Sequence, residues 1–265
     1  MWCYKCDTMK KIVVAFSLAM AIMVFVWSCR GSNHSGASGA SKGDTSTVSS
    51  THASLRENVL TSGEQKALTP DLVIQNLKEG NQHYVNSKLT ANDYIGMLHH
   101  ASGGQYPEAF VLACIDSRVP VEEVFDKAIG DLFVGRVAGN IVDEDILGSM
   151  EYGCKVSGAR LIVVLGHQSC GAIKAAIEDE KLGNITAMLA KIKPSMAMSK
   201  DFPGEHTAEN HAFVEDVVRN NIKNTIQSIR LQSPVLKDMA DKGEIKIVGA
   251  YYSLDTGAVT FLNGN

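Results

Sequence analysis

Apolar runs alternate with amphipathic stretches along this chain, and together they predict strands and helices in turn. The continuous apolar run at 109–114 is typical of a strand buried on both faces, and further strands are predicted at 131–137 and 160–166. This alternation indicates an α/β fold with a mostly parallel central β-sheet flanked by helices. In such sheets, functional residues gather at the carboxyl ends of the strands.

Start signals in the sequence mark where helices begin. Thr69 as N-cap and Pro70 at the first helical position predict a helix that runs to about Ser87. Pro120 opens a second, short helix that runs through Phe125. Further helices are predicted at 92–100, 141–156, 170–178, 184–193, 208–231 and 235–242, and closing strands at 245–252 and 258–262.

The N-terminal residues have the pattern of an export signal. Lys10 and Lys11 precede a mostly apolar stretch at 12–27, which is slightly short for a membrane span. We therefore expect a signal peptide over residues 1–28, and Met9 is a more usual start for it than Met1.

The end of that apolar stretch carries a second signal. The residues V-W-S-C, which end at Cys29, resemble the lipobox of bacterial lipoproteins, in which the cysteine is lipidated. This resemblance implies an exported protein that is periplasmic, or is attached to a membrane only through a lipid on Cys29. Plain signal cleavage and a retained anchor are the alternatives.

A flexible segment separates the predicted signal from the predicted domain. Residues 31–51 contain 14 Ser, Gly or Thr in 21 positions and show no apolar periodicity. The sequence therefore predicts a linker over 29–66 and one domain over 67–265.

The composition excludes one broad class of function. The 265 residues carry a formal net charge of −4, and Lys and Arg form no run that would track a phosphate backbone. Aromatic residues make up only 6%, which also argues against a stacking platform for single strands. We expect no nucleic-acid partner.

The cysteines favour a metal site over a disulfide framework. Of the six cysteines, only Cys114, Cys154 and Cys170 lie in the predicted domain, and this odd number is unusual for a disulfide scaffold. Cys154 lies in a predicted helix and is expected to belong to the core. Cys114 and Cys170 belong to a pattern of metal ligands that also includes His167.

Cys114 and His167 each stand at the carboxyl end of a predicted strand, and Cys170 follows three residues after His167 at a strand-to-helix turn. Two thiolates and one imidazole suit Zn2+, and three protein ligands leave the fourth position of a catalytic zinc site open for water. Zinc lowers the pKa of such a water to about 7. The pattern therefore predicts a catalytic zinc site.

Asp116 and Arg118 lie two residues apart in the segment that follows Cys114. In an extended stretch their side chains point the same way, and a guanidinium can hold a carboxylate with two hydrogen bonds. We expect Arg118 to orient Asp116 towards the open zinc position and to keep its carboxylate off the metal.

Four segments resemble the β-class carbonic anhydrases: C-I-D-S-R-V-P-V-E-E-V-F-D, G-D-L-F-V-G-R-V-A-G-N, E-Y-G and V-V-L-G-H-Q-S-C-G-A. The resemblance covers roughly residues 70–262. It implies reversible hydration of CO2 to bicarbonate and a proton, with one Zn2+ per subunit on the three predicted ligands. Asp116 and Arg118 match the catalytic pair of this family.

The resemblance also implies how substrate is bound. The backbone N–H of Gly171 faces the substrate, Gln105 matches an amide that hydrogen-bonds it, and Phe133 and Tyr152 match positions that line the CO2 pocket. In this family the pocket is completed by a partner subunit. The chain is therefore expected to form a homodimer or a higher even oligomer, with its N-terminal helices packed on the partner.

One subclass of the family is inhibited by bicarbonate bound near a tryptophan three residues before the first zinc ligand. This chain has Val111 there, and Ala113 also resembles the non-allosteric subclass. The resemblance thus implies an open site without bicarbonate switching. Gly139 in R-V-A-G-N is expected to widen the pocket.

The sequence leaves four alternatives open. A hydrolase of carbon disulfide or carbonyl sulfide has the same fold and the same ligands, and a non-catalytic zinc protein at the cell surface would also keep the ligands. Asp116 as a permanent fourth ligand would make the zinc structural. A disulfide between Cys114 and Cys170 would abolish the site.

Overall fold

The computed structural model of the protein describes residues 55–262. A five-stranded sheet with the order β2-β1-β3-β4-β5 forms its centre. The strands are β1 (Ala109–Ala113), β2 (Leu132–Arg136), β3 (Leu161–His167), β4 (Lys246–Tyr252) and β5 (Val259–Phe261). β1 to β4 run parallel and β5 runs antiparallel to β4, which confirms the predicted mostly parallel α/β fold.

Helices cover both faces of the sheet. They are α1 (Ser62–Ala67), α2 (Pro70–Val85), α3 (Tyr94–Ala101), α4 (Val121–Val124), α5 (Glu144–Glu151), α6 (Gly171–Ile177), α7 (Gly183–Ala190), α8 (Lys193–Met198), α9 (His211–Gln232) and α10 (Pro234–Asp241). A 3-10 turn at Ala138–Asn140 follows β2, and a π-helical turn at Tyr152–Val156 extends α5. Within residues 55–262, no helix is both long enough and apolar enough to span a bilayer.

The helix start signals in the sequence act through their capping hydrogen bonds. The Thr69 side chain accepts from the backbone N–H of Leu72 and starts α2 where predicted. α5 begins at Glu144 rather than at Ile141, because Asp143 adopts extended backbone and its carboxylate caps the N–H of Ile146.

The folded part begins earlier than residue 67, because α1 starts at Ser62, inside the predicted linker. The side chain of Gln65 is buried and donates to the carbonyls of Pro107 and Ser157, at 2.8 Å each. A capping box between Thr61 and Glu64 caps the N-terminus of the helix. Cys29, the predicted signal peptide and linker residues 29–54 lie outside the described residues.

Two apolar layers enclose the sheet. Every residue of β1 and β3 is buried, which is the physical reason for their continuous apolar runs. On one face Val111 packs with Leu77 of α2, and on the other Leu112 packs in a cluster with Val217 of α9. Truncation of such a side chain to alanine costs about 2–5 kcal/mol. The core thus holds the carboxyl ends of β1 and β3 side by side.

Candidate metal centre

Three side chains converge at the carboxyl ends of β1 and β3. Cys114 is the first residue after β1, His167 is the last residue of β3, and Cys170 is the N-cap residue of α6. All three are buried, and their ligand atoms lie within 4.8 Å of one another. β1 and β3 are neighbours in the sheet, so residues 56 positions apart in the chain become adjacent.

The turn between His167 and Cys170 is sharp. Ser169 has φ of 52°, a left-handed conformation that non-glycine residues rarely adopt. Its carbonyl lies 3.4 Å from Nη2 of Arg118. The strained residue lets the side chains on either side of it reach the same point.

His167 is the clearest sign that the centre is built for a metal ion. Its Nδ1 lies 2.9 Å from the carbonyl of Gln168, which makes Nδ1–H the donor and leaves a lone pair on Nε2. Nε2 is fully buried and has no hydrogen-bond partner among the described residues. A buried polar atom without a partner is costly, and a bound cation would satisfy it. Two cysteines and this imidazole form a donor set that fits Zn2+.

The sulfurs of the two cysteines are in contact, and each affects the pKa of the other. Their sulfurs are 4.0 Å apart, about twice the length of a disulfide bond, and both thiols are free. The hydrogen bond from Cys170 is the main cause that lowers the pKa of the Cys114 thiol to about 4, against the opposing effect of burial. The same contact, with burial, raises the pKa of the Cys170 thiol. Both cysteines bind a metal ion as thiolates, so metal binding at this centre releases protons.

Arg118 holds the Asp116 carboxylate with two charge-assisted hydrogen bonds. Its Nε donates to Oδ1 at 2.9 Å and its Nη2 donates to Oδ2 at 2.7 Å. The backbone N–H of Arg118 also donates to Oδ1 at 2.9 Å. The guanidinium beside it is the main cause that lowers the pKa of the Asp116 carboxyl to about 2, so the group is ionised at neutral pH.

Arg136, which the sequence reading did not single out, braces the segment that carries the first cysteine. From the end of β2 its Nε donates to the carbonyl of Cys114 at 3.0 Å, and its Nη2 donates to the carbonyl of Asp116 at 2.5 Å. Its place beside β1 depends on the strand order, so its only sequence signal was membership of R-V-A-G-N.

Gly139 does not widen the pocket. It is buried and has φ of 72°, and an added Cβ would lie 2.7 Å from Cδ1 of Ile192 and 3.4 Å from Cβ of Ala172. Its backbone N–H donates to Sγ of Cys114 at 3.3 Å. The expectation was wrong because this glycine serves the conformation of a buried turn rather than an open surface.

The four predicted substrate contacts lie in two places. Gly171 begins α6 beside Cys170, and no described atom lies within 4 Å of the point that a Cβ would occupy there. Gln105, Phe133 and Tyr152 lie instead towards the amino ends of the strands. The rings of Phe133 and Tyr152 are 6.4 Å apart, and Tyr152 and Gln105 line one groove of about 500 Å3. Within one chain, these three residues are grouped together and apart from the metal ligands.

Cys154 is a core residue, as predicted. It is 2% exposed, and burial raises the pKa of its thiol to about 12. Such a thiol is unreactive and belongs to packing rather than to the metal centre.

Comparisons with known proteins agree with this geometry. A family model described as "Carbonic anhydrase" matches residues 109–259. Carbonic anhydrase 2 of Mycobacterium tuberculosis is 34% identical over 189 residues, which cover 68% of this chain and 87% of the relative. A carbonic anhydrase of Pseudomonas aeruginosa is 30% identical over 166 residues, 60% of this chain and 75% of the relative.

Solved structures share the fold. The β-carbonic anhydrase CcaA superposes with a TM-score of 0.59 at 25% identity, over 73% of this chain and 95% of that one. One of two tetrameric β-carbonic anhydrases from Sordaria macrospora superposes with a TM-score of 0.57 at 21% identity, over 73% of this chain and 95% of that one.

Proposed function

The chain belongs to the β-class carbonic anhydrase family and is a carbonic anhydrase, and from this we propose that it interconverts CO2 and water with bicarbonate and a proton using one Zn2+ per subunit. Cys114, His167 and Cys170 would hold the ion. The observation that carries the proposal is the convergence of their ligand atoms within 4.8 Å around an unpartnered, buried Nε2.

Zinc bound there would supply a Lewis acid that makes a water molecule nucleophilic at neutral pH. Asp116 would orient this nucleophile, because its Oδ2 lies only 3.8 Å from Nε2 of His167 and accepts hydrogen bonds as a carboxylate. Arg118 fixes the direction of that carboxylate. The backbone N–H of Gly171, at the open start of α6, would bind an oxygen of the substrate.

The contact between Asp116 and Arg118 supports an open site of the non-allosteric subclass. Both carboxylate oxygens of Asp116 are engaged by Arg118 and are thus held away from a ligand role. Position 111 is a fully buried valine in β1, so the tryptophan of the bicarbonate-inhibited subclass has no counterpart there. This proposal implies that activity follows pH without a steep sigmoidal dependence.

A partner subunit would complete the pocket. Gln105, Phe133 and Tyr152 lie far along the sheet from the metal ligands of their own chain, so they reach a metal centre only if a second copy presents them. Tyr152 is 51% exposed, which suits such an exchange. The proposed assembly is a homodimer or a higher even oligomer.

The N-terminal helices carry an apolar surface that suits this assembly. Tyr94, Ile95 and Leu98 of α3 are 54–65% exposed, and contiguous exposed apolar side chains of this kind mark interaction sites. We propose that α3 packs on the partner. The Sordaria enzymes named above are tetrameric, which is consistent with an even oligomer.

We also propose export and lipidation at Cys29, on the basis of the V-W-S-C pattern alone. Labelling of cells with a fatty acid analogue tests it: the wild-type protein should carry the label and sediment with membranes. Cys29→Ala should lose the label, and an unlabelled wild-type protein would refute the proposal.

Zinc content and stopped-flow CO2 hydration of the purified protein test the activity. We expect one zinc per chain and CO2 hydration that is lost with the metal. Release of hydrogen sulfide from carbon disulfide, measured in parallel, separates the alternative hydrolase. Zinc binding without turnover of either substrate would leave a non-catalytic zinc protein and refute the proposal.

A further inference from the structure

Two buried polar side chains of α9 hold the 3-10 turn at Ala138–Asn140. Nδ2 of Asn221 donates to the carbonyl of Gly139 at 2.8 Å, and Oγ1 of Thr225, one helical turn later, donates to the carbonyl of Asn140 at 3.2 Å. Both residues are at most 2% exposed. Two consecutive carbonyls of the turn are therefore fixed from one helix.

The opposite side of the same turn contacts the metal centre. The N–H of Gly139 donates to Sγ of Cys114 at 3.3 Å, and Gly139 has a positive φ of 72°. The chain of contacts starts further out, because Oγ of Ser195 donates to Oδ1 of Asn221 at 3.1 Å and orients its amide.

Asn221 stands where an apolar residue would pack. Its helix neighbours Val217, Val218 and Ile222 belong to the core cluster on this face of the sheet. Burial of an amide is unfavourable unless its hydrogen bonds are made. Here α8, α9 and the turn together make the hydrogen bonds of this amide. The series of hydrogen bonds that they form ends at the sulfur of Cys114.

We propose that Asn221 and Thr225 are positioning residues for the metal centre, which set the hydrogen bond from Gly139 N–H to the Cys114 thiolate. The inference rests on the proposed zinc site. A hydrogen bond to a thiolate withdraws charge from the sulfur and holds it in place. Loss of an outer partner of a metal ligand typically weakens metal binding 10–100-fold.

The test uses the full chain loaded with Zn2+ or with Co2+. Asn221→Leu removes the amide and keeps the number of side-chain heavy atoms, and Thr225→Val replaces only the hydroxyl with a methyl group. Thr225→Ser keeps that hydroxyl and serves as the rescue. Asn220→Leu is the matched control, because Asn220 is also buried but bonds Ser199 and Asp216 instead of the turn.

We expect Asn221→Leu to weaken zinc binding about tenfold in competition with a chelator, at the low end of the range for outer partners. In the Co2+ protein its sulfur-to-cobalt charge-transfer band should move to lower energy, because the thiolate keeps more charge. Thr225→Val should change both readouts in the same direction, and Thr225→Ser and Asn220→Leu should match wild type even if their melting temperatures fall.

Wild-type affinity and spectrum in Asn221→Leu would overturn the inference, as would equal changes in Asn220→Leu. If Asn221→Leu does not fold, the comparison of Thr225→Val with Thr225→Ser decides. Identical zinc affinities and identical Co2+ spectra in these two variants would overturn the inference. A wild-type protein that binds no zinc would instead refute the proposed function, which makes the two failures distinguishable.

Discussion

Oδ2 of Asp116 lies 3.8 Å from Nε2 of His167, too far for a hydrogen bond and close enough for both atoms to face one ligand. The carboxylate is held there by Arg118, which occupies both of its oxygens. The competence of the site therefore depends on one guanidinium that is itself half exposed.

Arg118→Ala should retain zinc and lose catalysis. Without the guanidinium, Asp116 is free to ligate the metal and no longer orients the nucleophile, so kcat/KM for CO2 should fall about 100-fold or more. Metal analysis with stopped-flow kinetics measures both quantities. Arg230→Ala, which breaks an exposed ion pair with Asp241, is the control and should match wild type. Unchanged CO2 hydration in Arg118→Ala would contradict the mechanism.

Mixed oligomers should recover activity if partner subunits share a site. A chain with Cys114→Ser lacks a ligand but presents Gln105 and Tyr152, and a chain with both Gln105→Ala and Tyr152→Ala has the converse defect. Co-assembled chains should regain about a quarter of wild-type activity, because half of the dimers are mixed and each has one intact site. Each variant alone is the control. No recovery in verified mixed oligomers would show that these residues act within their own chain or not at all.

Gly139→Ala should destabilise the protein and weaken the metal centre together. The new Cβ would lie 2.7 Å from Ile192, and φ of 72° strains any L-residue, at a cost of about 1–3 kcal/mol. Gly148→Ala is the control, because apart from its chain neighbours and the backbone of α5 no described atom lies within 4 Å of its Cβ position, and it should be neutral or stabilising. Urea denaturation and zinc affinity measure the two effects, and a Gly139→Ala protein with wild-type values for both would contradict the account of this turn.

Asp126 should make the free energy of unfolding depend on pH through its contacts with His83 and Thr90. Burial raises the pKa of its carboxyl, but hydrogen bonds from His83 and Thr90 outweigh burial and hold the pKa below its ordinary value. Because the folded pKa lies below the unfolded one, the stabilisation is present above the unfolded value of about 3.9 and is lost as pH falls through the folded pKa.

Asp126→Asn tests this contribution without disturbing the backbone, because Asn tolerates the φ of 51° found there. At about pH 7 it should lower the unfolding free energy by about 1.5–3 kcal/mol, the range for hydrogen bonds to a charged group. The difference in unfolding free energy between the variant and the wild type should narrow as the pH falls below about 3.9. A gap that stays constant with pH would show that the charge of Asp126 does not contribute.

Local patterns were enough to locate most elements of the fold. The cap at Thr69 and the buried strands at 109–114 and 160–166 act within a few residues of chain, so their signals survive in the sequence. α1 was missed because it is a short helix of six residues whose stability comes from hydrogen bonds of Gln65 to distant carbonyls. α8 was missed for a similar reason, since its buried Ser195 bonds Asn221.

By itself the sequence determined the chemistry of this protein: which residues carry the thiols, the imidazole and the carboxylate–guanidinium pair, and that strand ends present them. Only the tertiary structure decided how that chemistry is held. Arg136 reaches the Cys114 segment across a strand pair, and Asn221 meets Gly139 over 82 residues of chain. The reason is physical: local periodicity and caps report interactions between near neighbours, whereas the contacts that aim a ligand exist only after the core has brought separate elements together.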